Sequence, residues 1–171
     1  MAKTATKTKA NGAIVEAVNV GVSPEAREAV VGKLTTLLAD QMVLYAKLRK
    51  FHWNVTGDNF FQLHEAFEDA YTGLADLIDV TAEYIRQYGA LAIGTLTEFA
   101  EHSQLKEAPG LNPDGKAMVQ EVVDDFETVC RFLRDSIEKI EKYGDPAAED
   151  LMTQMLRDHQ KTAWLFRAFV E

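Results

Sequence analysis

Four side chains that can hold a metal ion lie at two matched spacings in residues 52 to 83. His64 and Glu68 are four residues apart, and so are Asp79 and Glu83. On an α-helix, residues four apart point from the same face, because about 3.6 residues complete a turn. Imidazole nitrogen and carboxylate oxygen both bind divalent transition metals. Each pair is therefore half of a candidate metal site.

The two pairs cannot meet within one straight helix. His64 and Glu83 are 19 residues apart, and a rise of ~1.5 Å per residue separates them by roughly 28 Å. A second copy of the helix, crossing antiparallel about a two-fold axis, pairs residues whose numbers have a constant sum. That sum is 147 for His64 with Glu83 and also for Glu68 with Asp79. The spacing predicts two identical sites shared by two copies of the chain.

The middle of this helix would lie on the two-fold axis. The axis falls near Gly73 and Leu74, and the neighbouring Thr72 and Ala75 are also small. A missing or short side chain lets two backbones approach closely. The centre of the segment is therefore compatible with a close helix crossing.

The run KFHWNVTGDNFFQLHEAFEDAY, followed by D-x-x-x-E, resembles the Dps family of mini-ferritins, the DNA-binding proteins from starved cells. The resemblance extends over residues 23 to 170, and residues 52 to 83 are its specific part. It implies a ferroxidase centre between two subunits, with iron as the metal. The catalytic and metal-binding residues that it implies are His52, His64, Glu68, Asp79 and Glu83.

The resemblance also implies a reaction and an assembly. Fe(II) would be oxidised to Fe(III), with hydrogen peroxide in preference to dioxygen, and ferric mineral would collect inside a hollow dodecameric shell. These reactions would protect DNA and the cell from oxidative damage. The residues themselves leave open the oxidant, the choice between zinc and iron in the cell, and the number of subunits.

Composition indicates one folded domain. The chain has 171 residues, of which 47% are hydrophobic, enough to bury a core. A single cysteine, Cys130, excludes an internal disulfide and is typical of a reducing compartment. We expect a cytoplasmic protein, because no run approaches the ~20 apolar residues of a membrane span and no secretory signal is apparent. Cys130 is expected to pack as a small hydrophobic residue.

Charge is divided between the tail and the body. The net charge is −9, while residues 1 to 12 carry Lys3, Lys7, Lys9 and no acid. Removing those three positive charges leaves −12 for the remainder, which favours cation attraction or simple solubility over a broad nucleic-acid surface. We predict a mobile tail. It either binds DNA non-specifically, with avidity from many tails, or only aids solubility.

Start and stop signals predict four long helices. We expect an all-α, ferritin-like four-helix bundle over residues 23 to 171, preceded by a tail and extended arm over 1 to 22. A long connection at 87 to 111, with a short helix near 97 to 102, would be the crossover of this topology. The signals that delimit the helices are Ser23-Pro24, Gly57 followed by Asp58 or Asn59, Arg86, Asn112-Pro113-Asp114, Gly144 and Asp145-Pro146.

Several residues have two interpretations. His52 continues an apolar helical row and is either a core histidine or, as the resemblance implies, a ligand of the second, weaker metal position. Trp53 either packs or intercepts radicals beside the site. Asp145 and Asp150 either cap and complement a helix or, as in the family, line a negatively charged three-fold pore that guides Fe(II). His102 and His159 have no assigned role, and His159 is expected to be structural or exposed.

Three other functions compete with an iron-oxidising store. A DNA-compacting shell with secondary ferroxidase activity is favoured by the tail lysines and opposed by the acidic body. A conventional ferritin or di-iron oxygenase would carry Glu-x-x-His pairs on separate helices, and the sequence contains none. A purely structural helical oligomer would leave the matched spacing of the metal-binding pairs unexplained.

Overall fold

A computed structural model describes residues 12–170 and shows, within that range, five α-helices and no strand beyond one isolated bridge. α1 packs against α2 and α4, α4 packs against α5, and the short α3 packs on α1. The predicted all-α four-helix bundle with a long crossover is confirmed. None of these helices is long and apolar enough to cross a membrane. The helices are α1 (Pro24–Asn54), α2 (Phe60–Gln87), α3 (Leu96–His102), α4 (Gly115–Glu141) and α5 (Pro146–Arg167).

Most helices begin where capping residues predict. The side chains of Ser23, Asp114 and Asp145 each accept a hydrogen bond from a backbone N–H in the first turn of α1, α4 and α5. Gly57 separates α1 from α2 with a φ of +101°, a conformation that other residues rarely adopt. The start of α2 differs from the prediction. Asn59 occupies the cap position but its side chain makes no capping bond, because its backbone is not in the extended conformation that aims a capping side chain.

The buried carboxylate of Asp40 on α1 holds the crossover. Its Oδ1 accepts hydrogen bonds from Ser103 Oγ at 2.7 Å and from the backbone N–H of Gln104 at 2.6 Å. Its Oδ2 accepts from Gln104 Nε2 at 2.9 Å. These bonds satisfy a fully buried carboxylate and fix where the chain leaves α3.

The segment before α1 runs along the start of the crossover. Ile14 forms an antiparallel bridge with Ala90, and the N–H groups of Val15 and Glu16 both donate to the carbonyl of Gly89. A Cβ at Gly89 would lie 2.6 Å from the carbonyl oxygen of Glu16, so only glycine permits this contact. Lys3, Lys7 and Lys9 lie outside the described residues.

The core forms two apolar clusters along the bundle. One contains Val30, Leu34, Leu38, Ile85, Leu133, Ile140 and Met152, and the other contains Leu44, Leu48, Phe51, Phe67, Val122, Phe126 and Phe166. Cys130 is buried in the first cluster as expected, and burial raises its pKa to about 11. α5 ends at Arg167, so Phe169 lies beyond the last helix, where it is 44% exposed.

Candidate metal centre

Two histidines meet where α1 ends and α2 begins. His52 lies in the last turn of α1, and His64 lies in the second turn of α2. The short connection at 55–59 turns the chain back, so the two imidazole rings stack with centroids 3.7 Å apart and planes 24° from parallel. His52 is buried and His64 is half-buried.

Each histidine is hydrogen-bonded to the other's backbone. The Nδ1 of His52 lies 2.8 Å from the carbonyl oxygen of His64, and the Nδ1 of His64 lies 2.9 Å from that of His52. A carbonyl oxygen can only accept, so each Nδ1 must donate its proton. In the neutral imidazoles, both Nε2 atoms therefore keep a free lone pair. This is the arrangement by which outer hydrogen bonds orient histidine metal ligands.

Glu68 completes a half-site with the two histidines. One ligand atom from each of His52, His64 and Glu68 lies within 4.8 Å of the others. Glu68 is exposed, one turn beyond His64 on α2. Two neutral nitrogens and one carboxylate oxygen form a donor set suited to a divalent transition metal. Three ligands do not fill the coordination sphere of such an ion, so further ligands can bind it.

Asp79 and Glu83 lie on the same helix but outside this cluster. Both carboxylates are exposed further along α2, and neither belongs to a three-ligand group within residues 12–170. One chain thus brings three of the five predicted ligands together and leaves two apart. Their metal-binding role stays a prediction.

A cation and three aromatic rings lie beside the half-site, and of these the sequence reasoning placed only Trp53 there. The Arg49 guanidinium carbon lies 5.6, 5.2 and 4.9 Å from the ring centroids of Tyr45, Trp53 and Tyr71. Tyr45, Arg49 and Trp53 follow one another at intervals of four residues on α1. This spacing puts them on one face of the helix and could have predicted the contact between them. Trp53 is 65% exposed. It therefore does not pack into the core of one chain.

Tyr71 links these rings to the ligands. Its hydroxyl donates to Glu68 Oε1 at 3.3 Å, and its ring stands edge-on to His52 with centroids 5.3 Å apart. Desolvation raises the pKa of Tyr71, and the negative charge of Glu68 adds to this effect. The phenol is therefore protonated at neutral pH and can act as a donor.

The two candidate pore residues differ in their surroundings. Asp145 is buried, caps α5 and accepts a hydrogen bond from the hydroxyl of Tyr88. Asp150 is exposed one turn further along α5. The capping interpretation of Asp145 is therefore observed, and the pore remains a prediction.

His159 lies away from the candidate centre in the middle of the bundle. Its Nε2 is 3.4 Å from the side-chain nitrogen of Gln41, and its ring packs against Phe126. Burial lowers the pKa of His159 to about 4, so it is neutral at physiological pH. Of the two expectations for His159, structural or exposed, the structure shows a buried side chain. His102 is exposed at the end of α3.

The sequence of this chain is similar to a known protein family and to curated proteins. Residues 31–171 match the ferritin-like domain family. A DNA protection during starvation protein of Brevibacillus brevis is 37% identical over 138 residues, which are 81% of this chain and 92% of that protein. The chain therefore belongs to the ferritin-like proteins.

Solved structures place it more narrowly. A Dps protein from Bacillus brevis superposes with a TM-score of 0.82 at 35% identity, covering 87% of this chain and 99% of that one. A Dps protein from Vibrio cholerae, described as a member of a broad superfamily of ferritin-like diiron-carboxylate proteins, gives 0.85 at 31% identity over 92% and 99%. Within the ferritin-like proteins, this chain is a member of the Dps family.

Proposed function

We propose that this protein oxidises Fe(II) at sites shared by two copies of the chain and stores the ferric product. The observation that carries the proposal is the half-site, in which His52 and His64 present free Nε2 lone pairs beside Glu68. Asp79 and Glu83 have the spacing to complete it from a second copy. Nitrogen and carboxylate ligands together suit ferrous iron.

The surface around the half-site supports a second copy. Thr72, Gly73 and Ala75 are exposed in the middle of α2, where an antiparallel crossing needs small residues. Phe61 is 79% exposed and Trp53 is 65% exposed beside the histidines. Large apolar side chains exposed around a polar centre are typical of surfaces that a partner covers.

The proposed reaction uses iron as the substrate. Two Fe(II) ions each give one electron, and one hydrogen peroxide takes up two electrons and two protons to form two waters. Dioxygen is the slower alternative oxidant. The ferric product would collect in a hollow dodecameric shell in the cytoplasm, and Trp53 would intercept radicals that escape the site. Removing Fe(II) and peroxide together would protect DNA.

The test is anaerobic loading of the purified protein with Fe(II), followed by peroxide, with ferric absorbance as the readout. We expect the Asp79→Ala, Glu83→Ala variant to lose rapid oxidation, since only His52, His64 and Glu68 would remain. Asp124→Ala, Glu138→Ala is the matched control, because it removes the same two residue types from exposed positions on α4. Equal initial rates in the wild type and both variants would refute the ferroxidase proposal.

A negative pore is the proposed route for Fe(II). Asp150 is exposed near the start of α5 and is available to a three-fold contact, while Asp145 is buried and would act by capping α5 and adding negative potential. Asp150→Asn is expected to slow iron uptake at low ionic strength more than at high ionic strength. Peroxide-driven oxidation at limiting Fe(II) measures this difference.

DNA compaction is the second candidate function. The feature that favours it is the run of Lys3, Lys7 and Lys9 in a segment without acids. Phosphate contacts by a multivalent array of tails weaken steeply with salt. Retardation of DNA that falls with salt and vanishes when residues 1–11 are removed would support this function. Unchanged retardation by the truncated protein would assign DNA binding elsewhere.

A further inference from the structure

Arg49 is held by aromatic rings rather than by an acid. Its Nη1 donates to the hydroxyl of Tyr45 at 2.8 Å, and the ring centroids of Tyr45, Trp53 and Tyr71 all lie within 5.6 Å of the guanidinium carbon. Among the described residues, no carboxylate forms a salt bridge with Arg49. The guanidinium therefore orients the rings that surround it through attraction to their electron-rich faces.

Two residues of α1 contact the ring of Tyr71 and orient it. The ring of Tyr45 stands edge-on to it, with centroids 5.9 Å apart and planes at 85°, and Arg49 lies 4.9 Å from its centroid. Its α2 position places the hydroxyl one turn from Glu68. A tyrosine has few rotatable bonds, so two neighbours on α1 suffice to fix the direction of its hydroxyl.

Glu68 is the least constrained member of the half-site. His52 and His64 are fixed by their mutual backbone hydrogen bonds, whereas Glu68 is exposed and has three flexible side-chain torsions. Among residues 12–170, the hydrogen bond to its carboxylate is the one that Oε1 accepts from the Tyr71 hydroxyl. That bond occupies one carboxylate oxygen and leaves Oε2 for a metal ion.

We propose that Tyr71 is a positioning residue for the metal ligand Glu68, and that Arg49 fixes Tyr71 in that role. Arg49 on α1 contacts the ring of Tyr71 on α2, and the hydroxyl of Tyr71 donates to Glu68 on the same helix. Partners of this kind, one bond removed from the metal, typically change metal affinity by about 10- to 100-fold. The inference rests on the proposed metal site and adds two residues to it.

The test measures binding of Co(II) alone to the full-length protein under anaerobic conditions, using the visible absorption of the bound ion. We expect Tyr71→Phe to weaken Co(II) binding by about 10-fold or more and to change the spectrum, since the carboxylate loses its fixed direction. Arg49→Gln is expected to act in the same direction with a smaller effect. Tyr84→Phe is the matched control, because its hydroxyl faces Tyr88 instead of a metal ligand.

A double-mutant cycle separates positioning from a general structural effect. If Tyr71 acts through Glu68, then Tyr71→Phe has no further effect on Co(II) affinity once Glu68→Ala is present. An effect of the same size in both backgrounds would overturn the proposal. So would identical affinity and spectra for the wild type, Tyr71→Phe and Arg49→Gln.

Failure of the metal site itself is seen in a different variant. If His64→Ala binds Co(II) as the wild type does, the proposed centre is wrong and the positioning role falls with it. If His64→Ala abolishes binding while Tyr71→Phe binds normally, the centre stands and only the role of Tyr71 and Arg49 is refuted.

Discussion

His52 and His64 each use one ring nitrogen to hold the other residue's backbone. The pair of hydrogen bonds, at 2.8 and 2.9 Å, joins the last turn of α1 to the second turn of α2. Because each Nδ1 must be the donor, the other nitrogen of each neutral imidazole carries no proton and is available to a metal ion. At the scale of single residues, a structural contact and a metal-binding tautomer have the same cause.

His159, unlike His52 and His64, lies away from the candidate metal centre, and burial keeps its imidazole neutral. Its folded pKa is about 4 and its ordinary value is 6.5, so the unfolded chain binds the extra proton between these values. The contribution of His159 to the stability of the fold is therefore fully present above about pH 6.5, and it is lost as the pH drops towards 4. The difference corresponds to roughly 3 kcal/mol.

Urea unfolding of the wild type and His159→Gln at a series of pH values measures this contribution. The variant lacks the titrating group, so its stability is expected to depend less on pH between 6.5 and 4. The difference in unfolding free energy between the two proteins should shrink by roughly 3 kcal/mol across that window. Parallel pH curves would show that His159 does not titrate as its burial implies.

At the scale of elements, the crossover between the two helix pairs depends on one buried acid. Asp40 accepts side-chain and backbone hydrogen bonds from residues 103–105. Asp40→Asn places an amide donor opposite existing donors and removes the charge that strengthens these bonds. We expect a loss of about 1–3 kcal/mol in unfolding free energy.

Chemical denaturation measures the loss, and hydrogen exchange at Gln104 and Leu105 locates it. Asp135→Asn is the control, because Asp135 is exposed on α4 and pairs with surface lysines. Exposed pairs of this kind contribute about 0–1 kcal/mol. An Asp40→Asn protein as stable as the control, with unchanged exchange at both amides, would contradict the role assigned to Asp40.

At the scale of the whole molecule, the proposed site exists only between copies. Co-expression of a His64→Ala chain with an Asp79→Ala, Glu83→Ala chain tests this. A mixed pair of chains has two shared sites. One site has all its ligands, and the other site lacks His64, Asp79 and Glu83. Random pairing should restore about a quarter of the wild-type sites.

Ferroxidase activity measures the recovery, and the two variants purified separately are the control. Each is expected to be inactive alone, since all its sites lack a ligand. A co-expressed mixture without activity would refute a shared site, provided that mass spectrometry shows both chains in one assembly. Activity in one single variant would refute the ligand set instead.

Much of the helical architecture was predictable because its signals are local. Ser23, Asp114 and Asp145 cap the helices that their positions indicate, and a glycine with positive φ separates α1 from α2. The cap of α2 was less predictable. The backbone conformation at Asn59 depends on the surrounding chain.

The sequence by itself determined the helices, the candidate ligands and the symmetric spacing that points to a shared site. These follow from periodicity and residue type, which operate over a few turns of one helix. Only the tertiary structure decided that His52 stacks on His64 and that Arg49 lies over the ring of Tyr71. Those contacts join α1 to α2, and the turn between the helices sets their alignment, which neither helix encodes alone.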